Sequence, residues 1–288
     1  VNVVNAKADE LMQKMTLEGK QSPADVLITV DAGRLVRAKD KGLLQAIDSK
    51  LLTTIIPSNL RDEENQWFAL TKRARVIVYD KDKTNPEQLS TYEDLTAPKW
   101  SEKILVRSSG NIYNQSLMAS IIAHKGEDAA KTWGENIVKN MARSPQGNDR
   151  DQIKAVIAGE GDLAIVNTYY IGKLLNSEDP EEVKVGLRIG VFFPNQDDRG
   201  THINISGAGV AKYAPNKANA IKFIEYLVNE DAQKVFASSN YEYPVNPAVE
   251  VSDLLKSWGI FKEDTLPLSK LGENNKKAVL VFDEAGWK

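Results

Sequence analysis

The chain has 288 residues, 42% of them hydrophobic, with 37 basic and 40 acidic side chains and a formal net charge of -3. That composition supports a sizeable core, and at about 150 residues per domain the length suggests two lobes. No basic block or aromatic-basic stripe points to nucleic acid, no apolar run approaches the ~20 residues of a membrane span, and the lack of cysteine excludes disulfides, thiolate metal sites and cysteine nucleophiles.

Only two histidines, His124 and His202, are present, so a multi-histidine zinc site cannot be built and oxygen ligands remain. The first residues do not follow the charged, apolar, small-residue order of a secretory leader. Val1 to Val4 read as a strand, and Ala6, Leu11 and Met15 as one face of an amphipathic helix. Val26 to Val30 is a continuous apolar run suited to a parallel strand covered on both faces. A helix with Leu35 and Val36 follows and stops near Gly42. Strand and helix alternate, which favours an α/β sheet.

Trp67 to Leu70 and Arg75 to Tyr79 read as two extended segments, with Val76 to Tyr79 crossing from one lobe to the next. Ser90 and Glu93 form a capping-box signature for a short helix. Ile104 to Arg107 is a strand leading into the polar turn Ser108-Ser109-Gly110-Asn111, and Tyr113 stands near the start of the helix after it. That turn is a weak candidate for an anion site through its backbone N–H groups. His124, at the end of the helix, reads as a positive charge complementing the helix dipole.

Trp133, Ile137 and Met141 define a further helix face, and Gln146 to Asp151 cap the helix containing Ile153 and Val156. In that first turn Asp149 and Asp151 read as capping carboxylates rather than a catalytic pair. Leu163 to Val166 is a buried strand, delivering Tyr169 and Tyr170 to the start of a helix at a cleft. A phenolate is a hard anionic donor that suits a hard, highly charged cation such as Fe(III), although an isolated tyrosine pair more often packs on a surface. Leu187 to Phe193 is the next strand, and Gly200 to Val210 is an extended return crossing near Ile205, with His202 as a hydrogen-bonded structural histidine. The helix from Asn216, the extended Tyr243-Pro244-Val245, and helices around Leu254 to Trp258 and Ala278 to Phe282 complete the chain.

No Gly-x-Ser-x-Gly elbow or phosphate loop occurs, and neither histidine has an evident catalytic partner, so no enzyme activity is expected. Two crossings, and a cleft lined by Tyr113, Tyr169 and Tyr170, describe a two-lobed solute receptor that closes about a hinge.

Several motifs carry a resemblance along the whole chain. They are Ser22 to Leu27, Trp67-Phe68, Arg73 to Val76, Arg107 to Asn114, Gln146 to Gln152, Asn167 to Tyr170, Gly200 to His202 with Asn204 to Gly207, and Glu242 to Val245. In their order and spacing the chain resembles the periplasmic ferric-ion-binding proteins of bacterial iron ABC transporters, above all the cyanobacterial branch. The resemblance implies an α/β, two-lobe periplasmic binding protein type II architecture with two hinge-crossing strands. Its lobes are 1-76 with 205-250, and 77-204 with 251-288, the second carrying the tyrosines. It implies Tyr113, Tyr169 and Tyr170 as Fe(III) ligands, with Arg107, Ser108, Asn111 and Asn167 around them or holding a synergistic anion. Water, hydroxide or such an anion would complete the coordination, and the partner is an inner-membrane ABC permease served by a periplasmic monomer.

The resemblance also implies that the natural protein carries a strand and helix ahead of Val1, whose intervening turn supplies a ligand from the first lobe. Where some relatives place a glutamate ligand, this chain has the apolar Val30, with Asp31 as a candidate substitute. The competing expectation is the same fold with a small organic ion, a polyamine, phosphonate or thiamine, although a polyamine would require carboxylates in the cleft.

Overall fold

The computed structural model describes residues Val1 to Lys288. Eight strands appear in chain order: β1 (Val26–Val30), β2 (Leu44–Gln45), β3 (Phe68–Asp80), β4 (Ile104–Leu105), β5 (Leu163–Asn167), β6 (Ile189–Phe192), β7 (Ile203–Ala211) and β8 (Tyr243–Pro244). The α-helices are α1 (Ala8–Glu18), α2 (Ala32–Asp40), α3 (Lys50–Ile55), α4 (Ile112–Lys125), α5 (Glu127–Asn140), α6 (Asp149–Ala158), α7 (Thr168–Leu175), α8 (Pro180–Arg188), α9 (Lys217–Leu227), α10 (Glu230–Asn240), α11 (Asp253–Ser257), α12 (Ser269–Glu273) and α13 (Asn275–Ala285). This is the α/β architecture expected from the alternation of elements.

Everything is threaded on β3. The two extended segments expected around Trp67 and Arg75 are one continuous strand, because Lys72 and Arg73, which interrupt the apolar pattern, find partners in Glu263 and in Ser206 of β7. From Phe68 to Ala74 this strand runs antiparallel to β7, with Ala74 opposite Ile203 and an irregularity between Ala69 and Thr71. From Arg75 onward it pairs instead with β5, Arg75 opposite Asn167, and with β6 on its other edge. The exchange of neighbours therefore falls between Ala74 and Arg75, close to the expected crossing. β4 extends the second half in parallel with β5, while β1 and β2 extend the first half through β7. Apolar residues of both halves join in one buried cluster that includes Trp67, Phe68, Ile77, Trp133 and Phe282.

Other expectations need correction. Val1 to Val4 form no strand; they are exposed, Val1 by 97%, and pair with nothing in the sheet. Strand β1 is neither parallel nor covered on both faces. It pairs only with β7, antiparallel, and Ile28 and Val30 remain 45% and 37% exposed on its uncovered face. Ser90 caps no helix; the Thr91 hydroxyl accepts from Asp94 N–H at 3.0 Å and starts a single 3-10 turn, Glu93–Thr96.

Helix α12 packs on both α2 and α4 and so ties the first half of the sheet to the helix that begins near Tyr113. Its approach to α2 requires a glycine, since a Cβ on Gly272 would lie 2.3 Å from Val36 Cβ. Gly272→Ala is expected to cost about 1–3 kcal/mol through overpacking, seen as a lower midpoint in chemical denaturation at an unchanged slope.

Candidate metal centre

Two helix starts bring the phenols together. The turn after β4 is held by Asn114, whose side-chain N–H donates to the carbonyls of Arg107 at 2.9 Å and Ser108 at 3.2 Å. Asn111 is the N-cap of α4, accepting from Tyr113 N–H at 3.1 Å, and this places Tyr113 in the first helical turn. Opposite it, the fully buried strand β5 ends at Asn167 and passes directly into α7, so Tyr169 and Tyr170 occupy the first turn there. The Tyr169 hydroxyl donates to the Tyr113 hydroxyl at 3.1 Å. The rings of Tyr169 and Tyr170 lie 4.3 Å apart at 33°. All three sequence-selected tyrosines thus converge.

Burial pushes the Tyr169 phenol far above its ordinary range, with the neighbouring Tyr113 phenol acting in the same direction and Arg73 opposing. Burial likewise raises Tyr170, against the pull of its bond with Tyr169. Both are neutral phenols in the absence of a cation, and a bound cation must displace their protons.

Three guanidinium groups surround Tyr113: Arg73, Arg75 and Arg107 place their central carbons 5.8, 6.0 and 5.7 Å from its ring centre. Arg73 and Arg75 are two residues apart on β3 and share a face of the strand. Arg73 turns to the first half of the sheet, donating to Ser206 Oγ at 3.0 Å and lying 3.6 Å from Glu242. Arg75 turns to the second, donating to Asn114 at 2.6 Å, Asn167 at 3.0 Å and Asp149 at 3.2 Å. Donors remain unspent: Arg73 Nε and Nη2, Arg75 Nε, Arg107 Nε and Asn167 Nδ2 are buried without an acceptor. Such a surplus favours negative charge alongside, whether phenolate or a small anion.

Asp149 does not have the capping role expected for it. Asn148 and Asp151 form the capping box of α6, while Asp149 is fully buried against Arg75 and Arg107. Asp31 also differs from expectation. Its carboxylate is buried and accepts from Gly33 N–H at 2.9 Å, the Ser116 hydroxyl at 2.8 and 2.9 Å, and Asn204 at 2.9 Å. Three donors thus engage both oxygens and tie the carboxylate to Gly33, Ser116 and Asn204. No three His, Cys, Asp or Glu side chains gather anywhere in the chain, which leaves the phenols as the one convergent set of hard donors.

Residues missed from sequence are Arg73, Arg75, Asn114 and Asp149. Two like charges on one face of a strand flanked by Val76, Ile77 and Val78 were the available signal, since charges in such a run must be buried and paired. The histidines stand outside the cluster. His124 is not simply a dipole partner, for its Nε2 lies 2.8 Å from the buried Asp264 carboxylate.

The matching family model, the bacterial extracellular solute-binding protein, spans residues 21–259, and the chain belongs to that family. Among individual proteins it is 52% identical over 288 residues to iron uptake protein A1 of Synechocystis, covering 100% of this chain and 80% of that protein. It also superposes on the Trichodesmium IdiA/FutA protein solved with iron and citrate ligands, with a TM-score of 0.98 and 52% identity over 100% of this chain and 91% of that one. Against the ferric binding protein from Campylobacter jejuni the TM-score is 0.95 at 46% identity, covering 100% and 92% of the two chains.

His202 offers a test of the surroundings. Burial, with Arg75 and Arg199 nearby, depresses its imidazole from 6.5 to about 3. Between those values the unfolded chain takes up a proton that the folded protein refuses, so stability falls as pH drops through that window. Denaturation midpoints followed from pH 6.5 to 3 are expected to decline, and less steeply in His202→Gln.

Proposed function

We propose that the chain is an extracytoplasmic receptor that binds Fe(III) through the phenolates of Tyr113, Tyr169 and Tyr170 and delivers it to an ABC permease. The observation that carries this reading is the meeting of Tyr113 and Tyr169 at 3.1 Å with the Tyr170 ring packed at a tilt against that of Tyr169. Three phenolates neutralise a 3+ ion, and hard oxygen donors favour the ferric state over softer cations. The Synechocystis iron uptake protein, the Trichodesmium protein solved with iron and citrate, and the Campylobacter ferric binding protein support the same cargo.

Water, hydroxide or a small anion fills the remaining positions. Arg107 and Asn167, with unspent donors beside the phenols, are the groups to receive an anion, while Ser108 and Asn111 shape the turn that holds Tyr113. The two halves of the sheet, 1-76 with 205-250 and 77-204 with 251-288, serve as lobes closing on the ion in a periplasmic monomer. An organic cation such as a polyamine finds three arginines here in place of the carboxylates it needs.

An absorption spectrum of the protein with Fe(III) tests the reading. A visible phenolate-to-iron charge-transfer band is expected, weakened or displaced in each of Tyr113→Phe, Tyr169→Phe and Tyr170→Phe. Absence of the band in the parent, with spectra alike in all four proteins, would count against iron.

A further inference from the structure

Asp149 is the first residue of α6, fully buried, in a helix whose cap is already supplied by Asn148 and Asp151. Its carboxylate reaches three separate elements. One oxygen accepts from Arg75 Nη1 of β3 at 3.2 Å and from Asn167 N–H, at the junction of β5 and α7, at 3.0 Å. The other lies 3.4 Å from Arg107 Nη1, in the turn after β4. That contact is the only side-chain hydrogen bond of the Arg107 guanidinium, which nonetheless sits 5.7 Å from the Tyr113 ring centre. Arg75, by contrast, keeps Asn114 and Asn167 as further acceptors.

We infer that Asp149 is a positioning residue for the tyrosine cluster, acting through Arg107 and Arg75 on Tyr113 and through the Asn167 N–H on the helix start that carries Tyr169 and Tyr170. The inference rests on the Fe(III) reading above and deepens it. A single carboxylate then sets both sides of the phenol contact. It holds guanidinium groups against one ring and fixes the backbone from which the other two rings project. It also offsets one positive charge of the arginine pair, so the phenolates meet a defined field rather than two mobile cations. Residues standing behind metal ligands in this way typically influence affinity by ~10–100-fold.

The parent is compared with Asp149→Asn and, as a capping control, Asp151→Asn. Fe(III) affinity is read by competition with nitrilotriacetate, together with the position of the visible band and the near-UV circular dichroism of the iron-free protein. In Asp149→Asn an amide N–H must face a guanidinium or the Asn167 N–H. Fe(III) is expected to bind at least about tenfold more weakly, with a displaced band, an altered near-UV spectrum without iron and an unchanged far-UV spectrum. Asp151→Asn is expected to lose some stability and keep the parent's band and affinity. If Asp149→Asn is merely less stable, with the parent's band, affinity and near-UV spectrum, the positioning role is overturned. Should it fail to fold, Arg107→Gln removes the guanidinium that Asp149 alone holds. A parental band and affinity there overturn the role equally. A parent with no visible band at all overturns the iron reading and this inference with it, an outcome distinct from a parental band in the variants.

Discussion

A guanidinium group taken out of water costs several kcal/mol unless its N–H groups find acceptors, and Arg75 is buried on the strand common to both halves of the sheet. Its acceptors are drawn from three places: Asn114 beside Tyr113, Asn167 two residues before Tyr169, and Asp149 behind both. The need to satisfy one buried cation thus constrains the two helix starts that hold the phenols. Its own backbone is pinned as well, since the buried Tyr92 hydroxyl donates to the Arg75 carbonyl. Tyr92 is held in turn by Trp133, whose indole N–H donates to the Tyr92 carbonyl at 2.8 Å.

The electrostatics of the cluster pull in two directions. Burial keeps Tyr169 and Tyr170 protonated, while Arg73 and Arg107 favour their anions. The balance leaves Tyr169 and Tyr170 uncharged, so the fold does not have to support two buried anions side by side. On the Fe(III) reading proposed above, the cation would tip the balance by replacing the protons, and the unspent arginine donors would then face anions instead of phenols. Glu242 and Asp31, each occupied by hydrogen bonds within the first half of the sheet or across to Ser116, keep the remaining positive charge of Arg73 from being uncompensated.

Much of this was legible in the chain. The tyrosine pair after a wholly apolar strand, and the Asn-x-Tyr turn after another, are local patterns, and local patterns survive folding. The crossings were legible because each is a long extended run. The unity of β3 was not, because Lys72 and Arg73 look like a break until their partners, distant in sequence, are known. Asp149 was misread for a related reason: a carboxylate in the first turn of a helix usually caps or complements the dipole, and only the three-dimensional arrangement reveals that Asn148 had already taken that place. Val1 to Val4 have strand-like composition, yet a strand exists only where another strand offers its edge.

The continuity of β3 has a mechanical consequence. In the two-lobe closure proposed above, the turn would be absorbed where β3 exchanges β7 for β5, between Ala74 and Arg75. Points on a pivot move least and points at the rim most, so in that closure Arg73 and Arg75 would form the floor of the cleft. On the Fe(III) reading proposed above, that charge would stay in place throughout the closure, and an incoming ion would meet it before the walls came together.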